Sequence, residues 1–349
     1  MIDYFYYQPD DKSPEESHKP TRRERRKARH SEKPKHHHLL KLVLAAVAVI
    51  ILAAALLIAA GYWYVRVIPL ANHAGRTNLL VLGVDEAAKL SDTIMLISID
   101  HSDSERPKMA IVGIPRDLYV SIPGFDSAKI NAAHAYGENY DYRGGGPALT
   151  AATIEEHFDI PIHYHLALDF EGFEKIIDAV GGITVEVEQL LEDPFYPAPG
   201  YNGYEPLVIE AGEHHFDGQT ALRYARSRQT TTSDFDRAHR QQQVVVALQT
   251  EIMRREVLTD FSTIRSLLAV FEAHVTTNLT RLEMFKLANL ARQLDAETPS
   301  QYVIDTSNLL VPVQNEAGSS LVPRSGGFSE IQQFIDNIFD QTEVEEFSR

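Results

Sequence analysis

NLLVLGV at residues 78–84, TIMLISID at 93–100 and MAIVGI at 109–114 are short runs of Ile, Leu, Val and Met with almost no polar interruption. A strand with one wet face alternates apolar and polar side chains, whereas a strand covered on both faces is apolar throughout. The three runs therefore predict buried strands at the centre of a sheet. Tyr164–Asp169 and Ile183–Val187 are expected to continue that sheet, with later strands at 301–305 and 320–323. Between and after them the pattern turns helical at 149–158, 170–180, 219–228, 234–255, 260–274, 280–294 and 329–339. Gly181 and Gly182 follow one of these segments where a helix end favours glycine. Residues 192–208, with several Pro, Gly and Tyr and no period, read as a loop. The expected fold class is α/β, a central mixed sheet flanked by helices with a further helical layer toward the C-terminus.

Upstream of this domain, Leu39 to Ala60 carries no charge except Lys41 and neither proline nor glycine. As a helix these residues cover roughly 33 Å, close to the hydrocarbon thickness of a bilayer. Trp63 and Tyr64 follow where aromatic rings favour the interface. The run is longer than the apolar core of a cleaved signal peptide, so residues 39–65 are expected to be an uncleaved transmembrane anchor. Residues 1–41 hold 11 Lys/Arg against 7 Asp/Glu, and residues 42–349 hold 22 against 42. That asymmetry predicts a cytoplasmic N-terminus and an acidic domain outside the plasma membrane. Residues 1–38 read as a disordered basic tail, 66–76 as a connector and 77–340 as the extracellular domain. His36–His38 has no second ligand cluster and is not read as a metal site. The acidic balance excludes nucleic acid as a general partner, because a polyanion is repelled. The chain has no cysteine, so the exported domain must hold together without disulfides.

Three places put chemically useful side chains at predicted strand ends, where open α/β sheets carry their sites. Asp85 ends the first strand and Asp92 begins the second. Two acids flanking a short loop suit a Mg²⁺ ion shared with a substrate phosphate, and equally suit turns and caps. Arg116 and Asp117 end the third apolar run, with Lys129 and Asn131 shortly after in a loop leading into a helix. That pair reads either as a site or as a structural ion pair. The densest feature is Arg223, Arg226 and Arg228 followed by Asp234, Arg237, Arg240 and Gln241–Gln243. Arg223 and Arg226, and Arg237 and Arg240, lie three apart and so share helix faces. Guanidinium groups match phosphate oxygens in bidentate geometry, and a solvated helix surface is the alternative. No serine elbow, Walker loop or zinc-binding helix is present. The string LVPRSG at 321–326 resembles a protease-cleavage tag, yet it is flanked by foldable sequence and is read as part of the domain.

At these residues the chain resembles the LytR-CpsA-Psr family of envelope enzymes. The likeness runs in order from about residue 77 to 250, and more loosely to 340. It is carried by Gly83-Val84-Asp85, Ser91-Asp92-Thr93, Ile114-Pro115-Arg116-Asp117, Lys129 through Ala133, Val180-Gly181-Gly182, Ala221 through Arg228, and Ser233 through Gln243. The resemblance implies transfer of a glycopolymer, such as teichoic acid or capsule, from a polyprenyl-pyrophosphate carrier to a peptidoglycan hydroxyl. It implies an apolar tunnel for the polyprenyl tail, with the pyrophosphate at its mouth. Carried over, Asp85 and Asp92 match magnesium-associated acids. Arg116, Lys129, Arg226, Arg228 and Arg240 match or neighbour phosphate-binding basics, and Asp117, Asp234, Arg237 and Gln243 match further motif residues that organise the site. Arg116, Asp117, Asp234 and Arg228 are the expected catalytic set; Lys129, Arg226, Arg237, Arg240 and Gln243 are expected to bind phosphate. The sequence departs from the family pattern at Glu86, Ala87 and Leu90, where arginines are usual nearby, at Gly137-Glu138, where paired glycines are usual, and at Asp236. The family's older regulatory label fits poorly, because residues 1–38 are too short and irregular for a helix-turn-helix. The alternatives are a non-catalytic binder of lipid pyrophosphate or wall glycan, and a polyprenyl-pyrophosphate hydrolase.

Overall fold

In the computed structural model of the chain the described residues are 70–340, apart from 86–88, 104–105, 199–202, 228–233, 255–256, 258 and 295–298; the side chains of residues 234 and 235 also lie outside them. The expected anchor at 39–65, the basic tail, and Arg228 therefore fall outside the described residues, as does the side chain of Asp234. Among the described residues no helix is long and apolar enough to cross a membrane.

The elements follow in the order β1 (Arg76–Asp85), β2 (Leu90–Asp100), β3 (Lys108–Gly113), β4 (Tyr119–Val120), β5 (Ala128–Lys129), α1 (Ala132–Asn139), α2 (Gly145–Phe158), β6 (Tyr164–Asp169), α3 (Phe170–Ala179), β7 (Ile183–Val187) and β8 (Leu191–Asp193). They continue as β9 (Leu207–Ile209), β10 (Gly212–Phe216), α4 (Gly218–Arg226), α5 (Asp234–Ile252), α6 (Phe261–His274), β11 (Val275–Thr277), α7 (Arg281–Ala291), β12 (Ser300–Val303), β13 (Leu310–Asn315), β14 (Gly318–Pro323) and α8 (Ser329–Asp336).

The three apolar runs become β1, β2 and β3, adjacent in a six-stranded sheet of order β11-β6-β1-β2-β3-β12. The sheet is mixed: β1 runs antiparallel to β2 and parallel to β6, and β12 is parallel to β3. Alternate side chains of these strands serve two different interiors. On one face Leu80, Leu82, Leu96 and Val112 pack into a core with Ile154 and Phe158 of α2 and Ile331 and Ile335 of α8. The opposite face carries Leu79, Val81, Ile97 and Met109, which are only partly buried. α5 lies against β3 and β12 on that side. A second core forms around Ile177, Ile183, Val185, Phe216, Tyr224 and Val244, joining α3, β7, β10, α4 and α5.

Ile183–Val187 does not join the central sheet. It forms a two-stranded ribbon with β10, pairing Ile183 with Phe216. Its burial alternates, with Ile183, Val185 and Val187 inside and Thr184 and Glu186 exposed, which is the pattern of a surface ribbon. The segment read as a loop at 192–208 contains most of the short β8–β9 pair. Residues 310–323 form a hairpin where only its second strand was expected. The LVPRSG string enters that second strand, β14, and Leu321 donates its backbone N–H to the carbonyl of Asp117 at 2.9 Å.

α1 and α2 cross very closely. A Cβ on Gly146 would stand 2.5 Å from the carbonyl oxygen of His134, so glycine is required there by space alone. α2 has no side-chain cap from Gly144. Instead the carboxylate of Glu138 accepts from the N–H of Gly146 at 2.7 Å. The acid at this departure from the family pattern thus satisfies an orphan donor of a helix start.

Candidate functional site

The end of β3 delivers Ile114-Pro115-Arg116-Asp117 to the mouth of a cavity of about 400 Å³. Lys129 reaches the same cavity from β5, which is held against β4 by the Tyr119–Lys129 pairing. Asp92 comes from β2 through an irregularity in the ladder. Gly83 pairs with Thr93 and Val84 with Ser91, so Asp92 is the extra residue of a β-bulge. A bulge re-aims one side chain without displacing the strands on either side.

These groups form a chain of charge contacts. Arg116 donates from Nη1 to Oδ1 of Asp92 at 2.6 Å, and its Nε lies 3.5 Å from Oδ2 of Asp117. Lys129 Nζ stands 2.7 Å from Oδ1 of Asp117. Asp92 and Asp117 thereby hold Arg116 from two sides, and Asp117 ties it to Lys129. All four side chains are partly accessible, between 17% and 29%, so a ligand can still reach them. Arg237, buried in the protein, lines the cavity from α5. Three cations against two carboxylates leave the lining net positive in a chain of formal charge −16. Such a cavity attracts a multiply charged anion. The rest of its wall mixes apolar side chains, Ile94, Met95, Val303 and Leu321 among them, with the polar Gln241, Ser319 and Ser320.

Five expected site residues, Asp92, Arg116, Asp117, Lys129 and Arg237, are therefore brought together. The others are placed differently. Asp85 sits opposite Leu90 at the turn end of the β1–β2 hairpin and does not line the cavity. Arg226 lays its guanidinium over the ring of Phe170 at 4.2 Å, an aromatic partner at the start of α3.

Arg240 is buried and turned toward α4. It donates from Nε to the carbonyl of Tyr224 at 3.2 Å and from Nη2 to that of Ser227. These carbonyls end α4, where the helix leaves orphan acceptors and negative dipole charge. Burial draws the pKa of Arg240 downward, while burial pushes the Tyr224 phenol up to about 12. Gln243 accepts from the Tyr224 hydroxyl at 2.7 Å and donates to Glu188 at 3.1 Å. Both residues thus join α5 to α4.

Helical period explains the division. Arg237 and Gln241, four apart, face the cavity. Ala238 and Gln242 face the sheet, where Gln242 donates to the carbonyl of Tyr302 at 2.6 Å. Arg240 and Gln243, three apart, face α4. Gln241, Ser319 and Ser320 are polar lining residues missing from the expected set; for Gln241 the spacing of four from Arg237 was the available signal.

Replacing Arg240 with alanine is expected to destabilise the fold by about 2–4 kcal/mol, since two buried carbonyls lose a charged donor. Thermal unfolding of the full chain measures this. A variant with unchanged melting temperature but lost ligand binding would return Arg240 to the phosphate-binding role.

The Mg²⁺ expectation rests on Asp85 and Asp92. Among the described residues no group of three His, Cys, Asp or Glu side chains converges on a metal position. Mg²⁺ is commonly held by one or two carboxylates together with substrate phosphates and water. Asp92, which uses Oδ1 for Arg116 at the cavity edge, fits that donor set, with Asp85 on the neighbouring strand of the same hairpin.

The sequence model of the LytR_cpsA_psr family matches residues 58–320. Polyisoprenyl-teichoic acid--peptidoglycan teichoic acid transferase TagU of Oceanobacillus iheyensis is 37% identical over 217 residues, covering 61% of this chain and 61% of that protein. Regulatory protein MsrR of Staphylococcus aureus is 29% identical over 246 residues, covering 69% and 66%. The chain thus spans less than two thirds of the length of these curated relatives. A solved structure of TagT bound to LIIa-WTA superposes with a TM-score of 0.58 at 24% identity, covering 76% of this chain and 92% of that one. At that identity the likeness establishes the shared fold.

Proposed function

The chain belongs to the LytR-CpsA-Psr family, and from that premise we propose that it transfers a glycopolymer from a polyprenyl-pyrophosphate carrier to a peptidoglycan hydroxyl. The observation that carries this reading is the convergence of Arg116, Lys129 and Arg237 on one cavity that is net positive within an acidic chain. A pyrophosphate is the ligand whose charge and size suit three cations held by two acids. The relative named as a teichoic acid transferase supports the glycopolymer as cargo.

The carrier's tail fits the second face of the sheet. Leu79, Val81, Ile97 and Met109 are apolar and incompletely covered there, and α6, rich in Ile, Leu and Phe, has no buried residue. Each methylene withdrawn from water contributes about 0.8 kcal/mol, so an isoprenoid chain along such a strip is held strongly.

In the proposed step the acceptor hydroxyl oxygen bonds to the glycan-side phosphorus. The bond from that phosphorus to the bridging oxygen breaks, polyprenyl phosphate leaves with the electron pair, and the hydroxyl proton passes to a base. The product is a phosphodiester. Arg116 and Arg237 stabilise charge growing on the phosphoryl oxygens and the leaving phosphate. Asp117, engaged by both Arg116 and Lys129, orients the two cations. Asp92 at the cavity edge, with Asp85 on the neighbouring strand, would hold Mg²⁺, which when bound would supply further neutralisation of that charge. Arg228 and Asp234 are kept in the proposal from the motif they occupy.

We further read residues 39–65 as the membrane anchor, with the N-terminus cytoplasmic, the enzyme domain outside and the carrier drawn from the same membrane. Nucleic acid has no place in this reading. The test is to incubate the full-length protein with a defined lipid-linked glycan and oligomeric peptidoglycan, with and without Mg²⁺, and to weigh the product. A joined product carrying one phosphate supports transfer. Release of phosphorylated glycan without acceptor identifies a hydrolase, and retention of lipid without turnover identifies a binding protein.

A further inference from the structure

The rings of Phe125, Tyr136 and Tyr140 form a compact cluster outside the cavity lining. Phe125 lies 5.1 Å from Tyr136 and 5.3 Å from Tyr140 between ring centroids, and the two tyrosines are 6.3 Å apart, nearly edge to face. Phe125 and Tyr136 are rooted against the main core, whereas Tyr140 is 68% exposed. Among the described residues neither tyrosine hydroxyl has a hydrogen-bond partner. An aromatic face held rigid from behind and wet in front loses little entropy when a ligand covers it.

This cluster is continuous with the cavity through two elements. Phe125 lies in the connection between β4 and β5, and β5 carries Lys129. Tyr136 and Tyr140 lie along α1 and its C-cap, and Asn131, just before α1, bonds the carbonyl of Arg116 at 3.3 Å. At about 1.5 Å per residue, Tyr136 and Tyr140 are roughly 7 and 13 Å along the helix from that contact. Lys89, at the tip of the hairpin that carries Asp92, donates to Oδ1 of Asn139 at 3.1 Å, one residue before Tyr140.

The surroundings select the ligand. Asp126, Glu138, Asn139 and Asp141 are exposed around the rings, which disfavours an anionic lipid surface and offers hydrogen-bond partners for hydroxyl and amide groups. Flat apolar rings edged by carboxylate and amide groups match a pyranose, whose ring has an apolar C–H face and a polar rim.

We propose that the exposed ring of Tyr140, backed by Phe125 and Tyr136, is a stacking platform for a neutral pyranose ring of a glycan, which in the transferase reading above is the acceptor strand; its role as acceptor rests on that reading. Tyr140 lies about one helix length from the Asn131–Arg116 contact, a separation that an extended oligosaccharide of a few residues spans.

The test uses the full-length protein in detergent, with chitohexaose as the probe of neutral pyranose binding and calorimetry as the readout. Tyr140→Ala is expected to weaken chitohexaose binding about tenfold, while Tyr140→Phe, which keeps the ring, binds like the unaltered chain. Tyr204→Ala removes an equally exposed aromatic from the β8–β9 region and should leave binding unchanged. With a lipid-linked donor, the acceptor KM of Tyr140→Ala should rise more than kcat falls, with donor affinity retained. Tyr140-dependent chitohexaose binding in a protein that never transfers would sink the transferase reading and leave the platform standing. No chitohexaose binding by the unaltered chain, equal binding by Tyr140→Ala, or a Tyr140→Ala defect confined to vesicle binding would overturn the platform.

Discussion

Arg116→Ala is expected to lower the transfer rate by at least about 10²-fold, because a charged donor aimed at developing phosphoryl charge in a partly dry cavity contributes several kcal/mol at the transition state. The effect should exceed that of an ordinary surface arginine for a structural reason. Arg116 is held by Asp92 at 2.6 Å and by Asp117 through a contact at 3.5 Å, so its guanidinium is oriented before substrate arrives. Its removal also leaves Asp92 and Asp117 facing an anionic substrate with, among the described lining residues, Lys129 and Arg237 to oppose them. Arg116→Lys keeps the charge but loses the planar fork, and should recover only a small part of the rate. Single-turnover kinetics on the full chain with a lipid-linked donor measures both variants. Near-normal turnover in Arg116→Ala would remove the cavity from the chemistry.

Gly218→Ala is expected to produce a large loss of stability. Gly218 opens α4, the helix that carries Arg223 and Arg226, and packs against α3. A Cβ there would stand 2.2 Å from the carbonyl oxygen of Glu174, with further backbone atoms at 2.7 Å. Backbone cannot rotate away as a side-chain tip does, so α3 and α4 must separate. The N–H of Gly218 also donates to the Asp178 carboxylate at 2.8 Å, and this bond depends on the same approach. Overpacking of this kind costs about 1–3 kcal/mol, and more where only backbone can yield. For a domain of this size each kcal/mol lowers the melting temperature by about 2–4 °C. Gly327→Ala, with no atom within 4 Å of its added carbon, should stay within about 0.5 kcal/mol of the unaltered chain. Equal melting temperatures for the two variants would contradict the close α3–α4 contact.

The second of these predictions is one that the amino-acid order alone does not suggest. Gly218 reads there only as a residue suited to a helix start, and the Glu174 carbonyl that makes it indispensable lies 44 residues earlier. Close backbone approaches are set by how helices dock, and docking is not written in any local period. The cavity lies between these extremes. Arg116 and Asp117 are marked in the sequence because charges at the end of a fully apolar strand are unusual, whereas Lys129, in the loop that follows, is marked only by the family resemblance. The arginines of 223–240 are marked as a group, but their individual destinations are not.

Residues 78–84, 93–100 and 109–114 determined by themselves that the chain builds a covered sheet, because only strands buried on both faces are continuously apolar. The alternation in Ile183–Val187 marked a strand with one wet face but not its partner, and the expectation that it continues the central sheet failed because it pairs with β10 instead. The tertiary structure decided which neighbour each strand took, since pairing depends on connections and packing far along the chain. It also decided that Arg237 and Gln241 face the cavity while Arg240 and Gln243 fasten α5 to α4. A helix of 3.6 residues per turn separates those pairs onto different faces, but its rotation about its own axis is fixed only when Gln242 meets the carbonyl of Tyr302 and Arg240 meets the end of α4.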